Sequence, residues 1–380
     1  MKVLVFTPYY LPGYKGGGPI KTIKNLFDTT SSRQLEYKLI TSDRDLGDSS
    51  SYQTIQHDEW NQVGEARVFY IRSGFSGLKN IYSCILKDEY DLVCLNSFFS
   101  FRFSIYPRLL ARINSKKVVL APRGEFSEGA LNIKSLKKRL FIAIYKMFRL
   151  HKGMVFQAST LYESRDIQRV LGAHVDIRIA ENIGSQEFAS NSTVKEHEAL
   201  RLVFLSRISP KKNLLQAINI LSKVSASVQF DIYGPIEDKA YWETCQLAMQ
   251  SLPDHIKVEH KGSLSPDEVV QTLSSYDLFF LPTLGENYGH VIAEALCAGL
   301  PILISDQTPW RDLEKIGIGW DLALDAQKEF AKVIDDMAAL DNDAYYAKRQ
   351  HVLDWAQNKF SQGDAVEANI AMFEYAFNKK

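Results

Sequence analysis

The chain has 380 residues, 46% of them hydrophobic, a length and composition typical of two globular domains with cores of their own. Its 45 basic and 45 acidic residues give a formal net charge of zero, which argues against a nucleic-acid-binding protein that gains affinity by neutralising phosphates. No apolar run approaches the roughly 18 residues of a membrane span, and the apolar segment directly after Met1 leaves no room for a signal peptide. These features predict a cytoplasmic protein.

Short apolar runs alternate with helical patterns along the first half of the chain. This alternation is typical of βαβ units around a parallel sheet. The predicted strands are 2–6, 37–41, 66–71, 92–95 and 117–120.

The segment "GYKGGGPIKTIKNLF" at 13–27 places three consecutive glycines and a proline between the first strand and an amphipathic helix. Glycine is favoured where the backbone needs a positive φ, and also where it must approach another group closely. Pro19 is predicted as the first helical residue, so the glycines lead into a helix N-terminus, which attracts anions.

A basic amphipathic helix is predicted at 133–152, inside a stretch at 129–162 that contains no acidic side chain. Such a face is either solvated or lies on an anionic lipid surface, where each charge contributes about 1 kcal/mol. The second alternative would make the protein peripheral on the inner face of the cell membrane.

The strand and helix pattern restarts after a polar segment, with predicted strands at 202–205, 228–233, 257–260, 277–281 and 301–304. We therefore predict an α/β fold of two Rossmann-like, doubly wound domains that face a central cleft. The first domain is 1–184, the linker 185–198 and the second domain 199–355, while a final helix at 356–380 could pack back on the first domain. In doubly wound sheets ligands bind beyond the carboxyl ends of the strands.

The four cysteines lie in or near apolar runs and show no C-x-x-C spacing. That pattern predicts buried, reduced thiols rather than disulfides or a zinc site. They are Cys84, Cys94, Cys245 and Cys297.

The segment "DLFFLPTLGENYGHVIAEALCAGLPILIS" at 277–305 predicts an apolar strand, a polar loop and a helix that ends at Gly299. Glu286 precedes the helix and Glu294 follows eight residues later, which suits two ends of one elongated ligand. The free amides around Tyr288, Gly289 and His290 could hold a phosphate. The alternative is that Glu286 only stabilises the helix dipole and Glu294 is a solvated helix residue.

Arg207 and Lys212 follow the first strand of the second series, with Ser209 and Pro210 as candidate N-cap and first helical residue. Cations in a first helical turn oppose the helix dipole by roughly 0.3–1 kcal/mol each, and a bound anion reverses that sign. The two side chains could clamp a leaving diphosphate. Alternatively, both extend into solvent.

Together, Arg207, Lys212 and Glu286-x7-Glu294 within "GENYGHVIAEAL" resemble the signature of the retaining glycosyltransferases of family four, which have the GT-B fold. The glycine loop and "APRGEFSEGAL" at 121–131 resemble members of that family that build bacterial surface polysaccharides. The resemblance implies transfer of a sugar from a nucleoside diphosphate sugar to a glycan or lipid-linked acceptor. It implies no metal and no other cofactor.

Site roles also follow from the resemblance. Arg207 and Lys212 would hold the donor diphosphate and stabilise the leaving group, Glu286 would contact the transferred sugar, and Glu294 the ribose hydroxyls. The remaining implied donor-binding positions are Gly16, Gly17, Gly18, Asn287, Tyr288, Gly289 and His290.

The sequence departs from the family where many relatives carry a histidine, because Asn96 to Phe99 and Pro122 to Glu125 contain none. Arg123 or Glu125 is the candidate replacement, and Arg123 is predicted as a catalytic residue on the acceptor side. Two alternatives stay open: a nucleotide-sugar epimerase of the same fold, and a non-catalytic GT-B binding protein.

Two other patterns carry less weight. "DRD" at 43–45 matches a metal-binding D-x-D, but an acidic residue after a strand would equally suit a ribose in a dehydrogenase. The glycines complete neither G-x-G-x-x-G nor a Walker A motif, because Lys21 and Pro19 occupy the deciding positions.

Overall fold

The computed structural model describes residues 1–33, 35–87, 89–132, 135–184, 187–190 and 199–379. The chain forms two compact units: the first contains 1–183 and 363–380, and the second contains 184–362. Both are α/β units, as predicted.

The first unit is built on an eight-stranded sheet in the order β3-β4-β2-β1-β5-β6-β7-β8. Only the edge strand β3 pairs antiparallel, with β4; the other pairings in this sheet are parallel. The strands are β1 Lys2–Phe6, β2 Glu36–Ser42, β3 Trp60–Val63, β4 Ala66–Ile71, β5 Leu92–Asn96, β6 Lys117–Ala121, β7 Val155–Ala158 and β8 Ile177–Ile179.

In the described part of 1–183, six helices connect these strands, together with a 3₁₀ turn at Ser31–Arg33 and a π-helical turn at Phe101–Ile105. The helices are α1 Gly18–Thr30, α2 Phe75–Lys87, α3 Tyr106–Ile113, α4 Glu128–Asn132, α5 Ser135–Met147 and α6 Leu161–Leu171.

The second unit has a six-stranded parallel sheet in the order β11-β10-β9-β12-β13-β14. Its strands are β9 Leu200–Leu205, β10 Val228–Tyr233, β11 Ile256–Gly262, β12 Leu278–Leu281, β13 Ile302–Ser305 and β14 Gly319–Leu322. The helices of this part of the chain are α7 Leu214–Leu221, α8 Lys239–Met249, α9 Val269–Ser274, α10 His290–Cys297, α11 Gln327–Ala338 and α12 Asn342–Ser361, with 3₁₀ turns at Pro210–Lys212 and Pro266–Glu268.

The central strands read as continuous apolar runs because helices cover both faces of a parallel sheet. Every residue of β12 and β13 is buried. All ten strands predicted from the sequence are present, with ends within about two residues. The four cysteines are buried and none of them forms a disulfide, as predicted.

The unit boundaries differ from the predicted ones. The second unit ends at 362/363 rather than at 355/356, because α12 continues to Ser361. The last helix, α13 Asp364–Asn378, belongs to the first unit. Part of the predicted linker belongs to the second unit, since Ala189 is buried and its amide donates to the Cys297 carbonyl oxygen. Residues 185–186 and 191–198 of that linker lie outside the described residues.

Candidate functional site

The strand order identifies where each sheet can bind a ligand. In the second unit the chain adds β10 and β11 on one side of β9, then crosses to add β12 on the other side. The loops after β9 and β12 therefore diverge at the carboxyl edge, which is where open α/β sheets bind ligands. The loop after β9 carries Arg207 and Lys212, and the loop after β12 carries Glu286.

The backbone after β9 differs from the predicted helix start. Ser209 precedes a single 3₁₀ turn, Pro210–Lys212, and α7 begins only at Leu214. Between them Asn213 has a left-handed φ of 60°, and its side-chain amide donates to the Pro282 carbonyl oxygen at 2.9 Å. Lys212 is therefore a loop residue ahead of α7, not part of that helix's first turn.

Several hydrogen bonds fix this loop against the loop after β12. The Leu284 amide donates to the Lys211 carbonyl oxygen at 2.9 Å, and the Thr283 hydroxyl donates to the same oxygen at 3.2 Å. The Glu286 amide donates to the carbonyl oxygen of Gln307 at 3.2 Å. The two loops thus form one rigid edge in which Lys212 and Glu286 have set positions.

Lys212 and Glu286 form an ion pair, with Nζ donating to Oε1. Their side chains are only 12% and 11% exposed, so both charges are largely removed from water. Such a pair stabilises little but positions both groups, because desolvation offsets most of the Coulomb attraction. The sequence predicted both residues at the site, and the structure brings them into direct contact.

Arg207 lies at the same edge with a different partner. Its Nη1 is 3.2 Å from a carboxylate oxygen of Glu237, in the loop after β10. Both side chains are well exposed, so this pair contributes little to stability and Arg207 can exchange partners readily. In this structure Arg207 and Lys212 hold two different carboxylates.

Helix α10 supplies the other predicted residues of this unit. It begins at His290, two residues later than predicted, after Gly289 with a φ of 80°. Tyr288 packs between the rings of His290 and Trp310, at centroid distances of 4.9 and 5.8 Å, while Asn287 is half-buried. The Trp310 indole N–H donates to the Tyr288 carbonyl oxygen at 2.6 Å, which fixes the entry to α10.

Glu294 is 7% exposed, so the alternative of a solvated helix residue is wrong. Burial, together with the negative charges of Glu294 and Glu187, raises the pKa of the Cys297 thiol. Cys297 therefore stays protonated and inert near neutral pH.

Sequence reasoning missed Gly234, which ends β10. Its φ is 137°, and a Cβ there would overlap the carbonyl oxygen of Ser206 in the loop after β9. Only glycine lets β10 pass this close to the loop that carries Arg207. The signal was a glycine-proline pair at the end of an apolar strand, which marks close backbone approach.

In the first unit, the corresponding divergence lies between β1 and β5. The glycine loop follows β1, and α1 begins at Gly18, one residue before the predicted start at Pro19. Gly17 has a φ of 69°, and a Cβ at Gly16 would press on Ile20 and Tyr9 at 3.0 and 3.1 Å. A positive φ and a close approach within the unit therefore account for two of the three glycines. A role in donor binding stays a prediction.

The "DRD" segment has structural partners. Asp45 Oδ2 accepts from the Tyr14 and Lys15 amides at 2.8 and 3.0 Å, which holds the glycine loop, and Asp43 accepts from Arg44 at 2.9 Å. Among the described residues, no group of three or more His, Cys, Asp or Glu side chains is placed to hold a metal.

Arg123 lies after β6 with a left-handed φ of 55°. Its guanidinium donates to Asn96 Oδ1 at 2.6 Å and to Asn182 Oδ1 at 2.6 Å. Burial lowers its pKa from the usual arginine value, while Cys94 and Glu163 act in the opposite direction. Arg123 is thus held rigidly at the carboxyl edge by neutral amides.

Glu125 is engaged in the backbone. It accepts from the Phe98 amide, from the Phe99 amide at 3.2 Å and from the Ser97 hydroxyl at 2.8 Å. Burial raises its pKa, and these hydrogen bonds counteract the rise. Glu125 therefore shapes the loop after β5, and a contact of either candidate with a ligand stays a prediction.

The predicted basic helix is present as α5, although residues 133–134 lie outside the described residues. One side of the helix packs on the core through Phe141, Ile142 and Tyr145, while four other apolar side chains face solvent at a helical spacing. Leu136, Leu140, Ile144 and Met147 are 80%, 63%, 44% and 69% exposed. Among the described residues, no helix combines the length and apolarity that crossing a bilayer requires.

Comparisons with known proteins give a family match in the second half of the chain. Residues 185–351 match the family model "Glycosyl transferases group 1". The sulfoquinovosyl transferase SQD2 of Arabidopsis thaliana is 28% identical over 120 residues, which cover 31% of this chain and only 22% of that protein.

Two solved structures extend the likeness to the whole chain. The structure of Anabaena HepE in complex with UDP and glucose superposes with a TM-score of 0.70 at 14% identity, covering 98% of both chains. WaaG, a glycosyltransferase involved in lipopolysaccharide biosynthesis, gives 0.68 at 14% identity, covering 97% of this chain and 99% of WaaG. The family match supports glycosyl transfer as the class of activity. The chain has the GT-B fold, and its second unit carries the sequence pattern of the group 1 glycosyl transferases.

Proposed function

We propose that this protein is a metal-independent, retaining hexosyltransferase that moves a sugar from a nucleoside diphosphate sugar to an acceptor hydroxyl. The observation that supports it best is the Lys212–Glu286 ion pair, on the two loops that diverge between β9 and β12. A cation and a carboxylate held there match the two parts of such a donor, a diphosphate and a sugar with hydroxyls. The UDP and glucose bound by HepE support the same donor class.

In this mechanism the donor replaces the carboxylate in both ion pairs, Lys212–Glu286 and Arg207–Glu237. The diphosphate takes the place of Glu286 on Lys212 and of Glu237 on Arg207, which frees Glu286 to accept from sugar hydroxyls. The bond between the anomeric carbon and the phosphate oxygen breaks as the acceptor oxygen bonds to that carbon from the same face, and the acceptor proton passes to a phosphate oxygen. Fixed cations stabilise the leaving group because they need no reorganisation during the reaction.

The other residues have supporting roles in this proposal. Glu294 binds the ribose hydroxyls from the buried face of α10, and the amides of Tyr288, Gly289 and His290 bind phosphate. Gly16, Gly17 and Gly18 allow close approach of substrate to the first unit's backbone, and Arg123 contacts the acceptor. Asn287 completes the donor pocket.

A panel of UDP-, GDP- and other activated sugars tests the proposal. We expect slow acceptor-free hydrolysis of one donor, with one sugar released per nucleoside diphosphate. An isomerised donor would instead identify an epimerase, and binding without turnover a non-catalytic protein. Release of a sugar with inverted anomeric configuration would contradict retention.

We further propose that the acceptor belongs to cell-surface polysaccharide or glycolipid biosynthesis. The part that WaaG takes in lipopolysaccharide biosynthesis supports this choice. Lipid-linked acceptors of this kind are presented at a membrane surface.

The exposed side of α5 suits that surface. A stripe of four apolar side chains in water is costly, and basic residues flank it, including Lys137, Arg139 and Lys146. We propose that α5 lies on anionic lipid. Leu140→Glu should abolish co-sedimentation with anionic vesicles at low salt, while Leu247→Glu, a similarly exposed leucine on α8, should not. Failure of the unaltered protein to bind such vesicles would contradict this part.

A further inference from the structure

A cluster of charged side chains in the first unit has a surplus cation. Arg102 lies in the π-helical turn after β5, and its Nε and Nη2 atoms are buried without a hydrogen-bond partner. A buried guanidinium normally donates to several acceptors, since leaving its N–H groups unpaired costs free energy. The unused donors call for an acceptor that the protein itself does not supply.

The nearby carboxylates are already paired with other cations. Asp43 accepts from Arg44 at 2.9 Å, and Asp58 Oδ2 lies 3.2 Å from Arg72 Nε. Arg102 interacts electrostatically with Asp43, Arg44 and Asp58, so it shares their surroundings without forming an ion pair of its own. The set of three arginines and two aspartates carries a net positive charge.

Helix α2 adds to the positive potential. Its first turn contains Gly77, where a Cβ would overlap both the Nη2 atom of Arg102 and the carbonyl oxygen of Arg72, so only glycine leaves room for both groups. That turn has no acidic residue, and a helix N-terminus carries a partial positive charge. A cation here is unfavourable alone and becomes favourable when an anion joins it.

A histidine lies beside the same aspartate. His57 Nδ1 is 3.9 Å from Asp43 Oδ2, too far for a hydrogen bond, and has no partner of its own. The loops after β2 and β5 therefore bring a guanidinium and an imidazole from two separate parts of the sequence close to Asp43, at the carboxyl edge of the sheet.

We infer that Arg102, with His57 and the first turn of α2, binds an anionic group, a phosphate or a carboxylate, on the acceptor substrate. This inference rests on the proposed function, because that function assigns the donor diphosphate to Arg207 and Lys212 in the second unit. The acceptor is then a charged sugar or sugar phosphate rather than a neutral glycan end.

Isothermal titration calorimetry at constant ionic strength tests the site with four probes: inorganic phosphate, glucose 6-phosphate, glucuronate and glucose. We expect the first three to bind the unaltered protein and glucose not to bind. Arg102→Gln should weaken the binding of each anion by about tenfold or more, the loss of affinity expected when a charge-assisted hydrogen bond is removed. The control Arg165→Gln alters an exposed arginine of α6 and should leave binding unchanged.

Gly77→Ala provides a second variant, which keeps the charge of Arg102 but displaces its guanidinium. It should weaken the binding of the anions as well. If folded Arg102→Gln or Gly77→Ala binds the anions as tightly as the unaltered protein does, the proposed site is wrong. Binding of inorganic phosphate without either charged sugar would overturn the assignment to the acceptor.

Two further measurements separate this inference from the proposed function. Lys212→Ala should lose affinity for the nucleoside diphosphate of the active donor and keep its anion affinity in the first unit, while Arg102→Gln should keep the former and lose the latter. If no nucleoside diphosphate from the donor panel binds the unaltered protein, the proposed function fails while the anion site is still measurable.

Discussion

Lys212 and Glu286 illustrate how one ion pair can prepare a site for two ligand groups. Each charge has lost most of its hydration and is compensated by the other, so an incoming diphosphate and sugar replace an interaction rather than a hydration shell. The backbone of Glu286 is held by the hydrogen bond from its amide to the Gln307 carbonyl oxygen, and the side-chain oxygen of Thr283 lies 3.4 Å from Glu286 Oε1. The pair is therefore organised before the donor arrives.

We expect Lys212→Ala to reduce kcat by about 10²–10³, the range for removing one fixed group that stabilises transition-state charge. Glu286→Gln keeps the size of the side chain and removes the charge, and should also lower kcat severely. Steady-state donor hydrolysis measures both. The control Lys332→Ala removes an exposed lysine paired with Asp336 and should leave kcat unchanged. A near-normal kcat in folded Lys212→Ala would refute the role of the cation.

At the scale of elements, the close approach of β10 to the loop after β9 fixes the backbone position of the loop that carries Arg207. The contact forms because Gly234 has no side chain facing the Ser206 carbonyl oxygen. Helix α10 is fixed in a comparable way from its other end. The guanidinium of Arg349, on α12, donates to the carbonyl oxygens of Ala298 and Gly299, which follow the last turn of α10. Glu294 is thereby positioned by residues far from it in sequence.

Gly234→Ala should disturb the site more than a change that only strains the backbone. The Cβ would overlap the Ser206 carbonyl oxygen, so we expect a loss of about 1–3 kcal/mol from overpacking in addition to strain from the positive φ. Gly262→Ala is the matched control, because Gly262 has a φ of 83° and no atom within 4 Å of its Cβ position. Urea unfolding and UDP calorimetry compare the two variants. Equal losses in both would show that the contact with Ser206 is unimportant.

At the scale of the whole molecule, the chain leaves the first unit after residue 183 and returns to it at 363. The returning helix α13 packs against β5, β6 and β8, where it buries Val366, Met372, Phe373 and Ala376 in the core. A segment distant in sequence thus completes the hydrophobic core of the first unit.

The described residues form 14 strands, and the periodicity of the sequence predicted ten of them, mainly because buried parallel strands are apolar throughout. It missed β3, β7, β8 and β14; of these, β3 at Trp60–Val63 is a half-exposed edge strand with mixed polarity. For the site, the sequence motifs predicted Lys212 and Glu286 individually but did not predict their contact. They are 74 residues apart, and only the adjacency of β9 and β12 brings them together.

Long-range contacts that leave no local pattern could not be predicted from the sequence either. Arg349 is fully buried, yet it stands in a polar helix where an exposed arginine is the usual expectation. Its acceptors are backbone carbonyl oxygens, which every residue has, so nothing in the sequence marks them. Glu237, the partner of Arg207, was missed for the same reason: the pairing depends on how two loops converge at a sheet edge.

The importance of α13 for the first unit can be tested with two phenylalanines on the same helix. Phe373 is fully buried and Phe377 is 46% exposed. Phe373→Ala should destabilise the first unit by about 3–5 kcal/mol, because it removes buried apolar surface and leaves a cavity. For a unit of this size each kcal/mol corresponds to a decrease in Tm of roughly 2–4 °C. Phe377→Ala should change stability by less than about 0.5 kcal/mol, as is usual at an exposed position. Thermal unfolding followed by circular dichroism measures the difference, and hydrogen–deuterium exchange should locate the loss of protection in β5, β6 and β8, the strands that α13 packs against. If the two variants unfold at the same temperature, the returning helix is not part of the stable core of the first unit, and the division of the chain at 362/363 would have to be abandoned.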